Sequence, residues 1–355
     1  MTLPQLTASI QRVPMFRDRT NAIATTVLGA AIVYASYRFV TWGVINAIWS
    51  LPQDASSQAC RAIRGHGACW AVITERLRLI VSGAYPFAEQ WRPAVACLLF
   101  VMLYAASAVR AWWRWPLLGL WVLIPASVIT LLRGGVFGLS EVPSEFWGGL
   151  PLTFLLSTIG FAVAFPFAGA LALGRRSQLP AIKGLCIAYI ELVRGVPLVT
   201  FLFMASVMFP LFVPQGLTID KLLRAQVAFV MVIAAYVAEV IRGGLQAIPR
   251  GQYEAAASIG LSYWPTTILV VLPQALRVSI PALVNTFIAF FKDTSLVIVI
   301  GLFDLLGAAK AVIVDPRWVG FGVEAYLFAA IVYFGFCYAV SQYSRHLERV
   351  LVGRG

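Results

Sequence analysis

Charge is what this chain has least of. Only 12% of its 355 residues are Asp, Glu, Lys or Arg, against roughly 25% in a soluble domain. With 60% hydrophobic residues, it has too little polar surface to cover a water-soluble body of this size. A multi-pass membrane protein is the class that remains. Histidine is nearly absent. His66 and His346 are the only two, and both fall outside the apolar runs on opposite sides, so a histidine-based metal or catalytic centre is not expected. No Ser or Cys in an apolar run has a His base, which argues against an intramembrane enzyme. No Gly-Lys pair occurs anywhere, so the phosphate-binding loop G-x-x-x-x-G-K-[ST] is missing. No cofactor is therefore expected in this chain. A cleavable signal peptide is also missing: the first apolar run is long, lacks a small-residue cleavage site, and is expected to stay as an anchor. Internal repeats and low-complexity tracts are absent.

What is present is a basic excess. The formal charge of +12 would suggest nucleic acid in a soluble chain. Here it reads as the bias of Lys and Arg toward the cytoplasmic ends of spanning helices, with no nucleic-acid partner. Lysine is rare within that excess, at Lys183, Lys221, Lys292 and Lys310 only. A helix crosses the ~30 Å hydrocarbon core in about 20 residues. By that ruler the spans fall near 22–48, 93–109, 115–132, 150–174, 181–212, 222–243, 276–303 and 323–343. All should be helical, since backbone groups in lipid need partners within their own segment. Arg12, Arg17, Arg19, Arg110, Arg114, Arg175, Arg176, Lys183, Arg242, Arg250, Arg345, Arg349 and Arg354 share one side if both termini are cytoplasmic. Arg38 lies within the first span and is expected to snorkel to an interface.

Residues 49–92 then lie outside, although Arg61, Arg64, Arg76, Arg78 and Arg92 outnumber Asp54, Glu75 and Glu89 there. Within this loop the stretch 70–82 suits an amphipathic surface helix. Cys60 and Cys69 sit in it, in an oxidising compartment, and could form a disulfide or remain two free thiols. Cys97, Cys186 and Cys337 lie in apolar runs as packing residues. Composition changes near residue 148, giving an N-terminal extension of three spans (1–148) and a second region (149–355).

The link after span six reads AYVAEVIRGGLQAIPRGQYEAAASIG. Gly243 and Gly244 can end a helix, and Pro249 blocks its continuation. A short helix fits 250–259. Glu254 lies in its early turns, where the dipole favours an anion. Ala255, Ala256 and Ala257 are strong helix formers without bulk, and Gly260 is a stop. Ser262 is a candidate N-cap for the next helix, with Pro265 in its first turn. A bare helix of this kind suits a groove on another protein; the plain alternative is a tight loop.

This pattern resembles the signature of ABC-importer permease subunits, EAA-x3-G-x9-I-x-LP. It is carried by Glu254-Ala255-Ala256, Gly260, Val270 in place of Ile, and Leu272-Pro273. IELVRGVPL (190–198), AYVAEVIRGG (235–244), GQYEAA (251–256) and FKDTSLV (291–297) resemble the polar amino-acid subgroup. INAIW (45–49), CRAIRGHGACWAVI (60–73) and YPFAEQWR (85–92) resemble the M-type permease of the general L-amino-acid transporter. The resemblance implies an all-α multi-pass fold: a five-helix type I importer core at 149–355 preceded by three extra transmembrane helices. It implies a coupling helix at 250–260 in the cleft of a separate ATPase homodimer, which binds ATP and Mg. It also implies a paralogous Q-type permease as heterodimer partner, a periplasmic amino-acid-binding protein, an L-amino acid substrate, and residence in the bacterial inner membrane among its lipids.

Span seven holds Lys292, Asp293, Thr294 and Ser295 near mid-membrane, where ionisable residues face a cavity or a partner. Adjacent helical residues do not point the same way. So either Lys292 and Asp293 face different surroundings or the helix is broken there, as in transporters with midplane sites. They could take the carboxylate and ammonium of an amino acid, with Asn285, Thr294, Ser295 and Glu239 nearby. The alternative is an ion-pair network locking span seven to span six through Glu239 and Arg242. Glu191 and Arg194 pose the same choice, and could pair one turn apart. Two other functions stay open: an assembly or sensor subunit whose paired permease holds the substrate, and an ion-coupled secondary transporter.

Overall fold

The computed structural model describes residues 18–51, 58–214, 216 and 218–352. Arg12, Arg17, Asp54 and Arg354 lie outside the described residues. Among those described there is no β-strand, only two isolated bridges. The helices are α1 (Arg19–Val40), α2 (Gln58–Ala62), α3 (Ala71–Ser82), α4 (Trp91–Ala108), α5 (Trp115–Arg133), α6 (Gly149–Arg175) and α7 (Pro180–Gly195). They continue with α8 (Leu198–Phe203), α9 (Lys221–Ala247), α10 (Arg250–Ser258), α11 (Leu272–Asp293), α12 (Leu305–Val314) and α13 (Gly322–Val352). Seven helical stretches among these residues are long and apolar enough to cross a membrane, and the pair α7–α8 makes eight if it counts as one span.

That pair is where the expected continuous span 181–212 fails. Pro180–Gly195 and Leu198–Phe212 meet at 97°. The break falls at Gly195-Val196-Pro197. Proline offers no N–H to the turn before it and biases the preceding residue away from helix. Downstream, the helix widens into a π-turn at Met204–Met208.

Two compact units divide the chain. The first holds residues up to Glu75 together with Pro316–Glu324. In it, α1 presents Ile23, Val27, Leu28, Ile32 and Val33 outward, each more than 60% exposed. Cys60 and Cys69 are joined in a disulfide, Cα atoms 5.6 Å apart. Around it Ile48 N–H donates to Ala68 O at 2.9 Å, and Trp70 Nε1 to Gly43 O at 2.7 Å. Arg61 donates to Pro316 O at 3.0 Å, and Cys69 N–H to the Glu324 carboxylate at 2.9 Å.

The second unit holds Arg76–Asp315 and the chain from Ala325 on. Its axis is α9, packed along α6 and also against α7, α8 and α11. Small residues allow the close approach, as at other membrane helix interfaces: Ala225, Ala228, Ala234, Ala235, Ala238 and Gly244 are all buried. At Gly244 a Cβ would lie 2.0 Å from Ser279 Oγ and 2.6 Å from Ala275 O. This explains why the glycine pair 243–244 does not end the helix as expected. Gly244 serves helix packing, and α9 runs on to Ala247, where Ile248 and Pro249 stop it.

An aromatic cluster ties α4 to α6, α11 and α13. Tyr104 meets Phe336 at 5.4 Å between ring centres, Phe154 at 6.0 Å and Phe287 at 5.9 Å. Phe291 and Phe336 lie 4.2 Å apart. The inter-span links fall at two ends of this unit. At one, Arg92 donates to Ser140 O at 2.8 Å, Tyr85 Oη to Leu132 O at 2.8 Å, and Gly149 N–H to Phe303 O at 2.8 Å. At the other, Arg176 reaches Tyr253 and Tyr343 Oη reaches Ser107 O at 3.2 Å. The basic segments 110–114, 175–183 and 242–250 attach to this second end, so spans two to eight alternate in direction.

Candidate functional site

The helix expected over 250–259 is α10. It begins after Pro249, whose φ of −60° suits a helix entry, and ends at Gly260, which takes φ +79°. Gly260 N–H donates to Ala257 O at 2.9 Å, and Leu261 N–H to Ala256 O at 3.1 Å. These bonds satisfy carbonyls that a helix C-terminus leaves over. Ala256 is buried, whereas Glu254, Ala255, Ala257 and Ser258 are exposed, as is Ile259 at 76%. Ser262 stands at the N-cap position of the next turn, but its side chain makes no capping bond.

Two polar contacts hold α10 to the spans. Arg176, just past α6, donates to Tyr253 Oη at 3.1 Å and to Leu245 O at 3.3 Å. Gln274, in the first turn of α11, donates to Gln252 Oε1 at 3.0 Å. Leu272 is partly buried against the core and Pro273 is exposed. Proline cannot close an ordinary helical turn. The stretch Thr266–Val271 is accordingly a π-turn, and the helical segment runs unbroken from Tyr263 to Ile300. Nothing in 250–274 singled out Tyr253, Gln252 or Gln274 as tethers, because their partners lie on other elements.

The buried face of α11 carries Phe287, Phe290 and Phe291. Its opposite face carries Ala282, Asn285, Ala289 and Lys292, all exposed. Those spacings of three and four place them in one row. Asp293 and Ser295 are half-buried and Thr294 is fully buried. Of the two expected explanations for Lys292-Asp293, the first therefore holds, and the helix is not broken there. The two side chains face different surroundings, and the α-helix tightens to a 3₁₀ helix at Thr294–Ile300. Asn285 and Lys292 are brought together on one face; Thr294 is turned away from them.

Glu239 does not join this row. It receives Arg242 Nε at 2.8 Å and Arg175 Nη1 at 3.2 Å, and Arg175 also pairs with Glu191 at 3.0 Å. The ion-pair network thus links α9 to α6 and α7, and among the described residues no ion pair joins it to α11. Nor do Glu191 and Arg194 pair. Glu191 goes to Arg175, and the Arg194 guanidinium sits over the Tyr236 ring at 5.4 Å. Arg175 escaped notice because, at the end of its span, it reads as an orientation signal.

Asp304 was missed too. It is fully buried and accepts Tyr333 Oη at 2.6 Å, Gly307 N–H at 2.9 Å and Thr294 Oγ1 at 3.4 Å. Burial pushes its carboxyl above the usual carboxylate range, against the lowering effect of those donors. The signal was in the sequence: an Asp three residues before a Gly at the head of an apolar run is an N-cap pattern. Through Thr294, Asp304 fixes the turn that follows Lys292 and Asp293.

Residues 164–352 match the family described as binding-protein-dependent transport system inner membrane component. Over 316 residues, 87% of this chain and 83% of the relative, the chain is 49% identical to an inner membrane amino-acid ABC transporter permease protein of Escherichia coli (strain K12). In an alignment of 394 positions, gaps included, that covers 92% of this chain and 90% of the relative, it is 35% identical to a glutamate/glutamine/aspartate/asparagine transport system permease protein of Rhodobacter capsulatus. A crystal structure of an amino acid ABC transporter with histidines matches with a TM-score of 0.51 at 32% identity, covering 57% of this chain and 91% of that one.

Proposed function

The chain belongs to the binding-protein-dependent transport system inner membrane components and is a permease subunit of an ABC importer, and we propose that its cargo is a polar L-amino acid. It is a multi-pass inner membrane protein with the all-α fold of a type I importer permease. The amino-acid names of both relatives, matched over most of the chain, support the cargo.

The coupling is carried by one observation: a short helix with a bare outer face, tethered by Arg176 and Gln274 to two spans. In our reading a separate ATPase dimer, which holds ATP and Mg, receives Glu254, Ala255, Ala257 and Ile259 in its cleft. Gly260 ends the helix there, and Leu272-Pro273 leads into α11. Closure of the ATPase pulls on α10, and the unbroken segment Tyr263–Ile300 carries that movement to Lys292. The exposed row Asn285–Lys292 faces a second, paralogous permease, and the amino acid passes between the two. Lys292 takes its carboxylate, and Asp293 and Ser295 lie beside the path; Thr294 holds the turn that follows them through Asp304, while Glu239 stays in its ion pairs with Arg175 and Arg242, off the row. A periplasmic binding protein delivers the amino acid to the far side. Both termini are then cytoplasmic, and the disulfide-bonded 58–70 segment is periplasmic, where oxidation is expected. Residues 1–148 are an added region and 149–355 the permease core.

The test is Lys292→Ala in the complete transporter. Uptake should fall at least tenfold, while the amount of assembled complex stays unchanged. Unchanged uptake would move the substrate site to the partner permease and leave this chain an assembly role.

A further inference from the structure

A pocket of about 790 Å³ lies at the end of the second unit opposite α10, the periplasmic end in the orientation proposed above, between the extension helix α5 and the core helices α6 and α9. Its floor is apolar, from Ile129, Leu155, Ile159 and Leu222. Its rim carries Arg133, Glu141, Glu145, Asp220 and Lys221. Arg133 pairs with Glu141 at 3.6 Å. Asp220 caps α9 through Leu223 N–H at 3.0 Å and accepts the Ser144 hydroxyl. This leaves one cation, Lys221, and one anion, Glu145, in no ion pair among the described residues. Gln226 lies deeper and is 9% exposed; its Nε2 donates to Leu156 O at 3.3 Å, while its buried Oε1 has no partner. From Asp220 to Gln226 is roughly 9 Å of helix at 1.5 Å per residue. The headgroup layer on each side of the hydrocarbon core is roughly 5–8 Å thick. Arg133 ends one apolar span and Lys221 begins another, so the rim falls at headgroup level and Gln226 near the base of that layer.

We propose that this pocket holds a phospholipid with a zwitterionic, primary-ammonium headgroup. Lys221 meets the phosphate, Glu145 meets the ammonium, and the acyl chains lie along Ile129, Leu155 and Ile159. An anionic lipid would satisfy Lys221 alone. A free amino acid carries both charges but has no tail for the floor. The bound lipid joins α5 to the core helices α6 and α9. The proposal rests on the chain being a membrane permease, not on its cargo.

The experiment uses the purified complete transporter, with phosphatidylethanolamine, phosphatidylcholine and phosphatidylglycerol supplied in equal amounts. Native mass spectrometry then reads the lipid retained. Phosphatidylethanolamine should exceed each of the others by about fivefold, the ratio that corresponds to roughly 1 kcal/mol for the contact of its ammonium with Glu145. Lys221→Glu should abolish that preference, and Lys221→Glu combined with Glu145→Lys should restore it. Ile159→Trp, which alters neither charge, should also lose the lipid, and covers the case in which the charge variant does not assemble. Equal retention of the three lipids, or a preference untouched by these variants, would overturn the proposal. So would displacement of the lipid by free L-amino acid, which would make the pocket a substrate site.

Discussion

Single residues set how closely the spans of the second unit approach one another. Gly244 has no room for a side chain against Ser279 and Ala275, whereas a Cβ at Gly243 would meet nothing within 4 Å. Gly244→Ala should therefore cost about 1–3 kcal/mol, the usual range for overpacking, and lower the thermal midpoint of the purified subunit. Gly243→Ala should leave that midpoint nearly unchanged. Asp304 makes a second demand at this scale. Replacing it with Ala leaves Tyr333 Oη and Gly307 N–H without their buried acceptor, at about 1–3 kcal/mol for each unsatisfied group. Thermal unfolding in detergent would register the loss, and Asp304→Asn should recover part of it. Partners at this scale were hidden in the sequence. Glu191 and Arg194 look like a pair one turn apart, yet Arg175 competes for Glu191 from another helix, and Tyr236 offers Arg194 its ring.

Elements were far easier to read. Runs of apolar residues placed the first four spans and the sixth to within a few positions, because a bilayer demands length and low charge of every crossing; span seven begins at Tyr263 rather than near 276, and the last runs on to Val350. The short helix α10 was equally legible, since its proline entry, alanine run and glycine exit all act locally. What sequence did not show was the 97° turn between α7 and α8, or the continuity of Tyr263–Ile300. In both places a proline decides the outcome, and proline alone does not say whether a helix breaks or widens. The exposed face of α10 yields its own prediction. Ala257→Trp puts bulk on the outer face. It should abolish co-purification of the ATPase while leaving folding of the permease intact, as judged by its elution from a size-exclusion column. Ala256→Trp, at a buried position, should reduce the folded subunit itself.

At the scale of the whole molecule, α4 and α5 are packed into the spans that follow them. Tyr104 enters the ring cluster of Phe154, Phe287 and Phe336 and bonds Thr158. A chain restricted to 149–355 would expose those rings. It should accumulate at a lower level in membranes than the full chain, which immunoblotting against a C-terminal tag would measure. The larger claim is that movement of α10 by an ATPase drives an L-amino acid past Lys292. Its most direct test is uptake of labelled amino acid into proteoliposomes. These would hold this permease, its partner permease and the ATPase, with loaded binding protein outside and ATP inside. Uptake should require ATP and should stop when the ATPase's catalytic glutamate is replaced by glutamine. Uptake that continued with the disabled ATPase would contradict the account.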